Sequence, residues 1–230
     1  MSALDDLLEA IKRKDAAAVT RALDADRGLA TARAAGGQTP AIVAISIVAI
    51  YWRAPEMLAL LRARGAALDV FEAAAAGDAD RVRTLLDADP SLRDAHAPDG
   101  WTPLHLAGHF RQGAVIDLLL ARGADVNAVS RNGDANAPLH AAAAGGAAVA
   151  LMRRLVKAGA RVNHRQSGGY TALHEVAAVG KADVVRMLLD AGAQPDARNG
   201  EGRTPAELAR ESGHVALADE LEGAARRRVS

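Results

Sequence analysis

The chain has 230 residues, half of them hydrophobic, yet aromatic residues make up only 3% and alanine roughly a quarter. Its 28 basic residues balance its 28 acidic ones, and its pI is about 7.1, so no net field draws it to phosphate backbones or anionic lipid. The absence of cysteine excludes disulfides, thiol nucleophiles and Cys-bound zinc.

The N-terminus, Met1-Ser2-Ala3-Leu4-Asp5-Asp6, lacks the charged-then-apolar layout of a signal peptide. Lys12, Arg13, Lys14 and Asp15 give the first unit, residues 1–36, the polar face of a cap. Next comes the longest apolar run, Ala41 to Trp52, broken only by Ser46. It falls short of the roughly 20 residues a bilayer span needs. It is expected to be a buried first helix about five residues longer than the other first helices, since a helix apolar all round is buried. The joint after Gly65 is short, and a helix is expected to begin near Val70.

Residues 23–40 match residues 86–103 at ten of eighteen positions, so the chain contains a duplicated block. From there the repetition is regular. Trp101-Thr-Pro-Leu-His105, Asn136-Ala-Pro-Leu-His140, Tyr170-Thr-Ala-Leu-His174 and Arg203-Thr-Pro-Ala-Glu207 align. Their second residues, Thr102, Ala137, Thr171 and Thr204, stand 35, 34 and 33 apart. About 21 residues after the first three anchors come Gly-Ala-Asp-Val-Asn127, Gly-Ala-Arg-Val-Asn163 and Gly-Ala-Gln-Pro-Asp196.

Each unit reads as helix, turn, helix and projecting loop. Thr caps a short helix, and Pro in its first turn needs no amide partner. Val184, Val185, Leu188 and Leu189 have the spacing of an amphipathic second helix, which Gly192 ends in a left-handed cap. Asp99-Gly100, Asn132-Gly133 and Asn199-Gly200 are expected to turn the chain back. Two matched motifs in register make the chain similar to the ankyrin repeat proteins, in particular to multi-repeat proteins of bacterial type. The resemblance implies an all-α solenoid of stacked helix-turn-helix units with projecting hairpin loops. The expected division is one domain of seven units: 1–36, 37–66, 67–98, 99–132, 133–167, 168–200 and 201–230. Glu207, Arg210, Glu211 and Asp219 suit the exposed face of the last, a cap, and Arg226 to Arg228 suit a frayed tail.

No catalytic constellation is present: no phosphate-binding glycine loop, HExxH or nucleophile elbow. His105, His140 and His174 share one repeat position. Stacked helices lie roughly 8–10 Å apart, too far for one metal to collect ligands from successive units. The resemblance implies instead that these histidines bond within and between loops. Asp5-Asp6, Asp24 with Asp26, and Asp87 with Asp89 suit caps and solvated loops. No metal and no cofactor is implied.

The resemblance further implies a non-catalytic interaction module that holds a protein in its concave groove. The groove positions are the residue before each anchor and the pair ending each first helix. The former are Gln38, Trp101, Asn136, Tyr170 and Arg203; the latter are His109-Phe110, Ala144-Gly145, Ala178-Val179 and Glu211-Ser212. Arg111 replaces the glycine that usually follows such a pair. Trp101, Phe110 and Tyr170, three of only six aromatics, fall at these positions. Interface anchors are typically aromatic. The candidate partner site is therefore Trp101, His109, Phe110, Ala144, Gly145, Tyr170, Val179 and Arg203, with Ala144 and Gly145 as a shallow floor between Phe110 and Val179. Trp101 also suits packing over its neighbour's loop. The missing hairpin near residues 60–75 interrupts the expected groove. The expectation is a monomeric cytoplasmic adaptor, with no nucleic-acid or membrane partner. A dedicated inhibitor or stabilising subunit of one enzyme would use the same surface; a small-ligand protein would need a converging polar set.

Overall fold

The computed structural model describes residues 2–31, 33–35, 42–44 and 54–229. The described residues contain thirteen α-helices and one short antiparallel strand pair. The first unit holds α1 (Ala3–Lys12) and α2 (Ala16–Ala25). Strand β1 (Arg33–Ala35) pairs with β2 (Ile42–Ala44), Arg33 opposite Ala44. Helix α3 (Pro55–Ala63) follows. Then come five helix pairs: α4 (Val70–Ala76) with α5 (Ala79–Ala88), α6 (Pro103–His109) with α7 (Gly113–Ala121), α8 (Pro138–Ala144) with α9 (Val149–Lys157), α10 (Ala172–Ala178) with α11 (Ala182–Asp190), and α12 (Pro205–Glu211) with α13 (Val215–Val229).

The first helices α4, α6, α8, α10 and α12 stack in sequence; behind them α5 packs on α7 and α9 on α11, and an ion pair joins α7 to α9. Small residues allow this. Ala73, Ala74, Ala107, Ala142, Ala143, Ala177 and Ala209 are all buried between layers. Leu104, Leu139 and Leu173, one per unit, are 1% exposed and form a spine, each contributing about 2 kcal/mol of burial. Ion pairs join successive second helices at Asp87–Arg122 (2.7 Å), Asp117–Arg154 (2.7 Å) and Glu220–Arg186 (2.8 Å). They are solvent-exposed and so fix register more than they stabilise.

The apolar run beginning at Ala41 departs from expectation. Residues 42–44 form β2 rather than part of a long helix, in keeping with the extended preference of the β-branched pair Ile42-Val43. The rest of that run, and Gln38, lie outside the described residues. The duplicated block is visible in the backbone. Helices α2 and α5 start on the Asp15 and Asp78 side chains and end at Asp26 (φ −143°) and Asp89 (φ −144°). Each leads into a 3₁₀ turn, Arg27–Thr31 or Pro90–Asp94. Asp24 pairs with Arg64 at 2.7 Å, as Asp87 pairs with Arg122.

The core divides at the short joint. Leu7, Ile11, Val19, Leu23, Met57 and Leu61 form one buried cluster, and a second runs from Leu68 to Leu221. Leu58 packs against both, and an Arg62–Asp78 ion pair of 2.8 Å spans them. At the C-terminus the expected fraying is absent. Helix α13 continues to Val229, its exposed Arg226 to Arg228 favourably placed against the negative end of the helix dipole.

The loops are stitched by a repeated set of bonds. His105 Nε2 donates to the Asn136 carbonyl at 2.9 Å, His140 to Tyr170 at 3.3 Å and His174 to Arg203 at 3.2 Å. In α6 and α10 the other ring nitrogen accepts from the capping threonine, Thr102 (2.8 Å) or Thr171 (2.9 Å). The unit at 133–167 breaks this pattern. Ala137 supplies no hydroxyl, and buried Nδ1 of His140 has no hydrogen-bond partner among the described residues. Ala137→Thr is therefore expected to stabilise the chain by about 1–2 kcal/mol, supplying a cap and a missing donor together. Urea unfolding checks it; an unchanged or lowered midpoint counts against this account of His140.

The turns before the anchors use Gly100 and Gly202 in left-handed conformation (φ +83° and +79°). The last turn runs from Asn199 to Gly202, as the Asn199-Gly200 pair predicts, with Gly202 rather than Gly200 in the left-handed conformation. Arg111 (φ +62°) takes the left-handed position that Gly77, Gly146, Gly180 and Gly213 hold in other units.

Candidate functional site

The first-helix side carries all four described aromatic residues: Phe71, Trp101, Phe110 and Tyr170. Each is half-buried, and none lies in a second helix. Three of them gather at one end. Phe71, Trp101 and Phe110 pack with Leu58 and Ala76 against buried Ala75 and Leu106. The His109 ring stands edge-on to Trp101 (centroids 5.3 Å apart) and to Phe110 (5.0 Å). Trp101 thus has packing partners and a part-exposed surface together. Phe71 was not among the expected site residues; it stands two residues after the α4 cap Asp69, at the register of Leu104, Leu139 and Leu173, and packs against the main core.

Ala144 and Gly145 end α8. Ala144 is exposed. Gly145 serves the stacking: a Cβ there would overlap the His109 carbonyl oxygen and fall 2.7 Å from the His109 Cα. The backbone of α6 therefore occupies the space that glycine leaves, and the floor is closed at this point. Val179, at the end of α10, is 56% exposed.

Tyr170 and Arg203 form a polar group at the other end. Arg203 donates to the Tyr170 hydroxyl at 3.2 Å and to Glu211 at 2.7 Å, and also pairs with Glu201. The Tyr170 ring lies 5.7 Å from that of His174.

Between the two ends lies Glu175 on α10. The positions four after each anchor are Leu106, Ala141, Glu175 and Leu208. The first, second and fourth are buried and apolar; Glu175 is part-buried and ionisable. Its Oε2 is buried without a hydrogen-bond partner among the described residues. Desolvation alone pushes its pKa up to about 7. This residue escaped expectation, although a lone acid at a leucine-and-alanine position is a signal the alignment itself carries.

The repeat histidines are held neutral. Burial pulls His105 down to about 4, and burial with the neighbouring His164 does the same for His140. His174 is lowered too, chiefly by burial. A shallow hollow of about 320 Å³ between the last two units is lined by Gly180, Arg186, His214 and Glu220; its two charged groups pair with each other. Among the described residues no group of three or more His, Asp or Glu could hold a metal ion. No described helix is long and apolar enough to cross a membrane.

Residues 70–166, 115–199 and 139–224 each match the family model of ankyrin repeats in three copies. The nuclear factor NF-kappa-B p105 subunit of Gallus gallus is 36% identical over 120 residues, 51% of this chain and 12% of that protein. The probable E3 ubiquitin-protein ligase XBOS31 of Oryza sativa subsp. japonica is 38% identical over 128 residues, 55% of this chain and 28% of that protein. A transient receptor potential cation channel subfamily A member 1 homolog of Caenorhabditis elegans is 32% identical over 172 residues, 71% of this chain and 14% of that protein. The chain thus spans less than a third of these relatives' lengths. Diverse as they are, they share with it a repeat whose general use is protein–protein interaction, and on the family match over residues 70–224 the chain belongs to the ankyrin-repeat family.

Proposed function

We propose that the chain is a non-catalytic cytoplasmic adaptor, one domain of seven units, that holds a partner protein on its first-helix face. The observation that supports this most is the placement of the aromatics. In a chain with only 3% aromatic residues, the four described ones are all half-buried on one side. Half-exposed aromatic rings beside an exposed Val179 suit a binding surface with a few dominant anchors. Trp101, His109, Phe110, Ala144, Tyr170, Val179 and Arg203 are its contact residues, Gly145 shapes it, and Phe71 extends it.

The test is affinity capture from the native cytosol with wild-type chain beside a Phe110→Ala, Tyr170→Ala double variant. Both side chains are half-buried, so the variant is expected to remain folded, losing about 2–3 kcal/mol of stability. A partner retained by the wild type should bind the variant about 30-fold more weakly or worse. Identical proteins retained by both baits, with the variant's circular dichroism unchanged, contradict the proposal.

A further inference from the structure

Glu175 is the feature that the stack itself does not account for. Its register partners Leu106, Ala141 and Leu208 are buried and apolar, so the helix layer does not require a carboxylate there. Burying a polar atom unpaired costs stability, and Oε2 of Glu175 is buried and unpaired among the described residues. The neighbouring first helices offer it no spare cation. Helix α8 contains no Lys or Arg. On the other side, Arg203 is taken by Glu201, Glu211 and Tyr170, and Arg210 by Asp219 and Glu222. The alanines of α8 leave little side-chain bulk beside α10; Ala144 is exposed, and Val179 supplies exposed apolar surface at the end of α10.

We infer that Glu175 is the specificity-determining residue of the first-helix face, and that the segment bound there presents a lysine or arginine side chain to its carboxylate. The inference rests on the reading of that face as a docking surface. It goes further by naming the chemistry of the occupant: a basic side chain with apolar neighbours, the charge meeting Glu175 and the apolar atoms meeting Val179 and the rings of Phe110 and Tyr170. An ammonium or guanidinium group meeting the carboxylate compensates the charge that the stack leaves without a counterion, and a charge-assisted bond is about twice as strong as a neutral one. The carboxyl, held protonated by burial up to about pH 7, gives its proton to solvent as the cation arrives.

A library of random 12-residue peptides displayed on phage, selected against the full chain, tests this. Wild-type chain is expected to enrich peptides with a central Lys or Arg beside apolar residues. The synthetic consensus should bind Glu175→Gln at least 10-fold more weakly. The same variant should melt about 5 °C higher at pH 8, because it removes a buried charge. Weaker binding by a more stable protein is a result that a purely structural role would not give. Glu175→Leu, carrying the residue of positions 106 and 208, is the second variant and should behave likewise. Peptides that bind Glu175→Gln unchanged yet fail on Phe110→Ala, Tyr170→Ala overturn the inference and leave the docking face standing. Peptides indifferent to all the variants, or no enrichment at all, overturn both.

Discussion

Gly145→Ala is expected to destabilise the chain by about 3 kcal/mol, the upper range for forcing a methyl group into a packed contact. The added Cβ would overlap the His109 carbonyl and lie 2.7 Å from the His109 carbonyl carbon and Cα. These are backbone atoms at the end of α6, so no rotamer change relieves the clash. The helices α6 and α8 must separate, and the spine Leu104–Leu139 separates with them. The next residue is the control. Gly146 has φ +71° and nothing within 4 Å of its added Cβ, so Gly146→Ala pays only for left-handed backbone, about 1 kcal/mol. Urea unfolding of both variants checks the order. Equal losses would show that the close approach of α6 and α8 is not what Gly145 is for.

Acidification should unfold the chain through its repeat histidines. His105 and His140 have folded pKa values lowered to about 4 from 6.5. A depressed pKa means that the unfolded state binds the proton more readily. The stability it contributes is full above about pH 6.5 and is lost as pH falls through 4. Each histidine accounts for a loss of about 3 kcal/mol over that window; His174 acts in the same direction. Glu175 works oppositely. Its pKa is raised from 4.5 to about 7, so its contribution is full below pH 4.5 and is lost as pH rises through 7, by up to about 3 kcal/mol. The two effects overlap between pH 4.5 and 6.5 and partly cancel. Glu175→Gln should therefore steepen the fall in stability on acidification from pH 7 to 4.5 and raise stability at pH 8. Melting temperatures from pH 4 to 8 for wild type and variant check both limbs. A wild-type curve flat from pH 6.5 to 4 contradicts the neutral, buried state of these histidines.

The later repeats were legible because their sequence states the local chemistry outright. Thr102, Thr171 and Thr204 cap helices, Pro103 and Pro205 enter their first turns, and Gly192 (φ +90°) sits just past α11. The same residues recur at a spacing that only stacking explains. In the last turn Asn199-Gly200 marked the place correctly, but not that Gly202 takes the left-handed conformation. The strand Ile42–Ala44 was hidden because a nearly continuous apolar run has no period to separate strand from helix. Site residues at the anchor and helix-end positions, such as Trp101 and Phe110, could be placed by counting from Thr102. What counting could not give was depth. That Gly145 is filled by the backbone of His109, while Glu175 buries an unpaired oxygen, depends on how neighbouring units approach one another.

On the proposed function, the first-helix face docks a protein. Amide hydrogen exchange of the full chain, alone and bound to the protein captured by the wild type, addresses it most directly. Added protection is expected at the ends of the first helices and the residues before them, across 101–112, 136–146, 170–180 and 203. The second helices α5, α7, α9 and α11 should remain unchanged. Protection concentrated on those second helices, or confined to residues before Val70, would contradict the account and move the binding surface elsewhere.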